Sequence, residues 1–239
     1  MIGPLPQPLL ASIEGAIEFI LDPQTSNVTG GRKVGGPEQV VELALAQLEV
    51  TVLALGLALL VGLPIGLFLG HRGTGELLAV GLGNAGRAIP ELALIAFMAA
   101  AIGVGLLNLT IALAVLGVPP ILTNAFVGIR QVDRASIDAA RGMGMTEFEI
   151  LRKVEVPLAI PTIFAGIRSA TIAIVATATI APLAGVETLG DFILNENVYG
   201  ENGVLAGAMV VALLALTLEF SLAGLQRLLT SRGLRLKTA

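Results

Sequence analysis

The chain has 239 residues, 55% hydrophobic and only 13% charged, with a mean hydropathy of +0.88 and a net charge of −4. Soluble domains carry about 25% charged residues, so this composition suits lipid rather than water. The basic residues are scattered instead of gathered on one face, which argues against a nucleic-acid partner, and the absence of cysteine excludes disulfides and thiolate metal sites.

Residues 1–37 lack a basic stretch followed by an apolar core, so no secretory signal is expected and the first true span is expected to direct insertion. Residues 8–21, PLLASIEGAIEFIL, set Leu10, Ile13, Ile17 and Ile20 on one helical face and Glu14 and Glu18 on another. This segment is too short and too charged to span. It is expected to form an extracytoplasmic amphipathic helix, either lying on the membrane or packed on the spans. The Gly-rich stretch 30–36 reads as a flexible connector.

Apolar runs of about 20 residues predict five spans, near 43–70, 77–102, 106–129, 157–184 and 203–229. The expected organisation is an N-terminal arm over 1–42, an all-α membrane domain over 43–230 and a tail over 231–239. Arg72 lies between the first two spans. Arg130, Arg134, Arg141, Arg152 and Lys153 lie between the third and fourth, and Arg227, Arg232, Arg235 and Lys237 at or after the end of the fifth. The loop 185–202 has neither Lys nor Arg. Because cytoplasmic loops are enriched in basic residues, the N-terminus is expected outside and the C-terminus inside.

Within the second span, Arg87 and Glu91 flank Ala88-Ile89-Pro90. An intramembrane ionisable residue is a functional-site hypothesis by default. Pro90 is expected to break the span where it lines a path, with Glu91 offering counter-charge to a cationic solute. The pair is equally readable as a structural ion pair holding that break. Pro119-Pro120 is expected to break the third span, with Thr123 and Asn124 satisfying the freed carbonyls. Arg168 and Glu219 are expected to snorkel at span ends. In the fourth span Thr171, Thr177 and Thr179 alternate with Ala173, Ala176, Ala178 and Ala181, a small-sided face that suits close packing or a pore lining.

The loop between the third and fourth spans, about 130–157, is longer than two neighbouring spans need, and surplus length calls for a function. Ser136–Ala140 and Thr146–Val154 read as short helices, interrupted by Gly142 and Gly144. Such an elbow can dock in another protein's groove. No nucleotide engine accompanies it: a P-loop needs G-x-x-x-x-G-K-[ST], and the only lysines, Lys33, Lys153 and Lys237, stand in no such context. His71, beside Arg72 at a span end, reads as an interfacial residue, and there is neither a metal cluster nor a nucleophile–base pair.

Asp138-Ala139-Ala140, then Gly144, then Val154-Glu155-Val156-Pro157 resembles the E-A-A-x3-G-x9-I-x-L-P loop of the permease subunits of bacterial ABC importers, with conservative changes at three positions. The resemblance implies the type I importer permease fold, and a coupling helix over about 136–148 that seats in a cleft of a separate ATPase. Asp138, Ala139, Ala140, Gly142, Gly144 and Pro157 carry the motif, with Met145 or Phe148 as the apolar knob. ATP and Mg belong to that partner, so no cofactor is expected in this chain.

Further stretches, PPILTNAFVGIRQVD (119–133), ARGMGMTEFEILRKVEVPLAIP (140–161), AGIRSAT (165–171) and GVETLGDFI (185–193), resemble the osmoprotectant subgroup, which carries glycine betaine, choline and carnitine. Val186-Glu187 departs from the small residues expected there. A quaternary ammonium is usually held in an aromatic cage, yet the chain has no Trp and one Tyr. The cage is therefore expected in an external binding protein. The loop carrying Glu187, Asp191, Glu196 and Glu201 is either its docking surface or a solvated acidic loop. Five spans enclose a path poorly, so two permease copies, identical or not, and two ATPase subunits are expected. A permease for another small solute such as methionine, and more distantly a passive channel or scaffold, are the competing readings.

Overall fold

A computed structural model describes residues 7–26, 28 and 31–230, the side chains of 7–12, 78, 80, 82, 84, 85 and 87 excepted. Leu10 and Arg87 as side chains, and the tail 231–239, thus lie outside the described residues. The described residues are all-α apart from a ribbon of two paired two-residue strands. Among the described residues, four continuous helical runs are long and apolar enough to cross a membrane: α2 (Gly36–Arg72), α5 (Leu106–Arg130), the run Glu147–Ala184, and α10 (Glu196–Leu229). At 1.5 Å per residue, even the 25 residues of α5 exceed a hydrocarbon core of about 30 Å.

The span predicted near 77–102 is not continuous. It consists of α3 (Glu76–Ala88) and α4 (Glu91–Ile102), and Ile89 between them is extended, with φ −74° and ψ 121°. The ring of Pro90 disfavours helical conformation in the residue before it, which is the break expected there. Pro119 and Pro120 behave differently: both lie inside an unbroken α5. Asn124 Nδ2 donates to the Pro120 carbonyl at 2.8 Å and Thr123 Oγ1 to the Ala79 carbonyl of α3 at 2.8 Å. Neither reaches a carbonyl freed by a proline, since those belong to residues 115 and 116.

Contacts divide the chain into two compact units. The first holds the described residues up to Val52, with Ile95–Thr110 and Val175–Leu216. Its core gathers Ala16 and Phe19 of α1 (Gln7–Leu21) with Val34, Val40, Leu43, Leu189, Phe192 and Ala206. The rings of Phe19, Phe192 and Tyr199 meet edge to face, with centroids 4.9–6.3 Å apart, the arrangement their quadrupoles favour. Helix α1 is therefore packed, on a face turned partly away from the predicted one: Ile20 packs against the core, but Ile17 is 44% exposed while Ala16 and Phe19 are buried.

The glycine-rich stretch is ordered where described. Strands β1 (Gln24–Thr25) and β2 (Lys33–Val34) pair antiparallel. Gly35 and Gly36, at positive φ, approach the Phe19 carbonyl and the Pro23 ring too closely for a Cβ. They serve close packing rather than a loose connection. Beyond α8 (Val156–Thr177), a 3-10 helix (Ala178–Ala184) leads to the short α9 (Gly190–Leu194).

The second unit holds Leu53–Leu94, Ile111–Ile174 and the described residues from Thr217. Gly62, Gly66 and Gly70 of α2 recur every four residues and face α5. A Cβ on Gly66 falls 2.6 Å from the Leu122 carbonyl oxygen and 2.7 Å from the Ala125 Cβ. Gly166 of α8 makes the same approach to Pro120 and Asn124. Small residues at this spacing let backbones touch, which is what associates helices where lipid removes the hydrophobic driving force. Replacing Gly66 with Leu is expected to destabilise the protein by about 1–3 kcal/mol, the usual penalty of overpacking. A thermal melt in detergent checks it, and an unchanged midpoint would show that this approach does not hold α2 to α5.

Candidate coupling site

The loop after α5 folds as α6 (Arg134–Gly142), a turn, α7 (Glu147–Ile150) and a π-helical turn (Leu151–Glu155) that runs into α8. The turn centres on Gly144, at φ +81°, a conformation an L side chain rarely adopts. Its N–H donates to the Arg141 carbonyl at 3.0 Å, and the Met145 N–H reaches back to Ala140 at 3.2 Å. This pair of bonds, with glycine in the left-handed position, ends a helix while satisfying its last carbonyls. Gly142, expected to interrupt the helix, is instead its last residue. Helix α7 starts with a reciprocal capping box: Thr146 Oγ1 accepts from the Glu149 N–H, and the Glu149 carboxylate accepts from the Thr146 N–H.

Ion pairs brace the elbow. Arg141 donates to both carboxylate oxygens of Glu147 across the turn, at 3.0 and 3.1 Å. Asp138 lies 3.6 Å from Arg141, and Lys153 donates to Glu149 at 2.8 Å. The hydrogen-bonded, negatively charged Glu147 pushes the Arg141 guanidinium above its ordinary value, so the brace stays charged. A bidentate arginine–carboxylate fork also fixes orientation.

On the outer side Asp138, Ala139, Gly142, Met143, Gly144 and Phe148 are exposed, with Met143 and Phe148 at 72% and 69%. Two large apolar side chains displayed on a charged elbow form a surface suited to an apolar groove. Ala140, placed in the motif by the resemblance, is not on this outer surface: it is 1% exposed and faces inward, as does Ile150. Met145 and Pro157 are half-buried, which leaves Phe148 and the unforeseen Met143 as the apolar projections.

The elbow is tied to the end of α2. His71 Nδ1 lies 2.6 Å from Glu155 Oε2 and Nε2 lies 3.6 Å from Glu147 Oε2. His71 is thus a partner of the loop rather than a bystander at an interface. His71 and Glu155, together with Gly70, Arg130, Arg134, Asp138 and Arg141, border a cavity of about 280 Å³.

Other predicted residues fall elsewhere. Glu91 begins α4, and Pro90 is exposed beside it. Pro119 is buried, Pro120 and Asn124 half-buried in α5, and Thr177 buried at the end of α8. Arg168 is in an ion pair with Glu219 and donates to Gln226 at 3.2 Å, so these charges pair with each other instead of snorkelling separately. Glu187, Glu196 and Glu201 are exposed. Asp191 is turned to local structure: it accepts from the Thr188 N–H at 2.9 Å, and burial raises its proton affinity, partly offset by that bond.

Residues 62–233 match the family described as the binding-protein-dependent transport system inner membrane component. The chain belongs to this family. Among relatives of this permease, the carnitine transport permease protein OpuCB of Listeria monocytogenes is 38% identical over 79% of this chain and 87% of its own. The glycine betaine/carnitine/choline transport system permease protein OpuCB of Bacillus subtilis is 36% identical over the same shares. Its choline transport system permease protein OpuBB is 38% identical. The fold is that of the type I importer permeases: the inward-facing MetNI methionine ABC transporter superposes with a TM-score of 0.69 at 22% identity, over 81% of this chain and 97% of that one. This permease is a multi-pass membrane subunit of an ABC importer.

Replacing Arg141 with Ala removes the fork across the turn without disturbing the buried Ala140 and Ile150. The expected outcome is an unchanged thermal midpoint with faster amide exchange confined to 134–150, measured by hydrogen–deuterium exchange. Exchange as slow as in the parent would mean that the turn and capping box suffice.

Proposed function

We propose that this permease is the path-forming subunit of an importer for quaternary ammonium osmoprotectants of the glycine betaine, choline and carnitine class, driven by a separate ATPase. The observation that carries the coupling half is the braced elbow, which displays Met143 and Phe148 on the motif Asp138-Ala139-Ala140-x3-Gly144. The substrate half is supported by the three relatives, each covered over most of its length, whose names specify such solutes.

Two permease copies, identical or paired with a close relative, enclose the path above two ATPase subunits that hold ATP and Mg. The N-terminus is outside and the elbow inside, as the arginines at 130, 134, 141 and 152 favour. A binding protein delivers solute to the outer loop, where Glu187, Glu196 and Glu201 offer exposed negative charge. Arg87, Pro90, Glu91, Pro119, Pro120, Asn124 and Thr177 belong to the path, with the helix break at Pro90 as its most distinctive feature, because broken helices recur at the midplane sites of transporters. Closure of the ATPases moves the elbow and rocks the spans between outward-open and inward-open states.

A Cβ at Gly144 meets open space, but the backbone there has a positive φ, so Gly144→Asp strains the turn and adds a charge to the exposed face without a clash. The substituted permease is expected to reach the membrane while losing both ATPase co-purification and ATP-driven uptake. Retention of both would end the docking reading. In reconstituted vesicles carrying the complete importer, unlabelled choline and carnitine are expected to compete with labelled glycine betaine, whereas methionine is not; the reverse ranking overturns the substrate assignment. Glu91→Gln is expected to raise the solute concentration needed for half-maximal uptake without affecting assembly. An unchanged requirement leaves Glu91 a structural role alone.

A further inference from the structure

We propose that His71 is a positioning residue that latches the coupling elbow to α2, so that a push on the elbow acts directly on α2 as well as on α5 and α8, to which the elbow is covalently joined. The proposal rests on the reading of 134–155 as the ATPase-docking element and assigns the chain's one histidine a part in it.

Three independent observations converge on this residue. First, Glu155 is 4% exposed, and a buried carboxylate persists only when paired. His71 supplies the partner, its Nδ1 atom 2.6 Å from Glu155 Oε2, within hydrogen-bond distance. Second, Glu155 is the last residue of a π-helical turn. An inserted π turn displaces the register of everything before it, and such turns recur at functional sites. Here it ends on Glu155, the one buried carboxylate of the elbow. Third, the opposite face of the ring looks to Glu147, 3.6 Å away, and Glu147 is the residue that Arg141 clamps across the Gly144 turn. One imidazole therefore touches the inner limb of the elbow at both ends, 147 and 155, and through Arg141 reaches α6.

Covalently, the elbow is joined to α5 through residues 131–133 and to α8 through the π turn. The contact to α2 has no covalent support. Gly70 carries no side chain next to His71 and packs against Ile129 and Phe126 of α5, which holds the end of α2 close enough for the ring to reach. Force delivered to Met143 and Phe148 thus enters α2 through the His71 ring. With the ring removed, the elbow remains folded by its own turn, capping box and fork, and slides past α2.

The test separates latching from stability. His71→Ala alone leaves Glu155 buried without a partner and destabilises the protein whatever its role. In the double variant His71→Leu/Glu155→Leu no buried charge remains, and replacing such a pair by apolar groups of similar volume is commonly neutral for stability. In reconstituted complex, the double variant is expected to melt and to co-purify with the ATPase like the parent, yet to move roughly fivefold less solute per ATP hydrolysed, the lower end of usual coupling between sites. Glu155→Gln, whose carbonyl oxygen still accepts from His71, is expected to recover most of that ratio. A double variant with the parent's ratio overturns the proposal. Should it fail to fold, His71→Leu/Glu155→Gln decides: it removes the ring and the buried charge together, and a parental melt with an unchanged ratio likewise overturns the latch. Failure of the docking reading looks different, because the ATPase would then bind Gly144→Asp as well as it binds the parent.

Discussion

Lipid provides no hydrophobic driving force for bringing two helices together, so the second unit depends on how closely its backbones can approach. Gly62, Gly66 and Gly70 remove the side chains from one edge of α2, and the α5 backbone occupies the vacated space. Gly166 does the same for α8 against Pro120 and Asn124. Dispersion falls off within fractions of an ångström, so these contacts fix the spacing of α2, α5 and α8 rather than merely permitting it. The spacing in turn sets where His71 sits, one residue beyond Gly70, and hence whether it reaches the loop that α5 and α8 carry between them.

Polar groups are handled in two ways. Within the spans several are paired in the helices' own reach: Gln47 Nε2 donates to the Val175 carbonyl at 2.9 Å, Thr171 back-bonds to Ile167 at 2.9 Å, and Arg168 is held by Glu219. Each partner lies on a neighbouring helix or one turn away, as unsatisfied groups in lipid demand. In the elbow the pairs are exposed and numerous. They add little stability individually, but together with the Gly144 turn they hold a short segment of chain in one shape.

Much of the fold was readable because its causes are local. Apolar runs located α2, α5, α8 and α10, and Pro90 announced the break between α3 and α4, since a proline acts on the residue beside it. Gly144 was legible for the same reason, and with it the register of Asp138 through Pro157. The misreadings share a cause as well. Pro119-Pro120 looked like a break, but tertiary packing of a long helix absorbs two missing hydrogen bonds. On α1, Ile17 looked buried, yet Phe19 found two aromatic partners at 192 and 199, far away in sequence. The pairing of His71 with Glu155 spans 84 residues, and nothing in either neighbourhood signals it. The glycine spacing on α2, by contrast, stood in plain view at four-residue intervals and marked a contact face.

A transmitting element has to satisfy two opposed demands. It must present an adaptable surface to its partner and yet not yield when pushed. Met143 and Phe148 meet the first, since flexible and aromatic side chains reshape themselves to a groove with little backbone change. The second is met behind them. The glycine turn closes α6 with its carbonyls satisfied, the capping box fixes the start of α7, and the Arg141 fork joins the two limbs. What remains is to add a second, non-covalent attachment to the covalent ones at α5 and α8, so that a push on the elbow also reaches α2. A buried carboxylate that is stable only against a group on another helix is such a second attachment. It tolerates separation poorly, since each ångström of opening leaves a charge unpaired where water is scarce. The same property that makes Glu155 an unfavourable residue to bury makes it a strict sensor of where α2 lies.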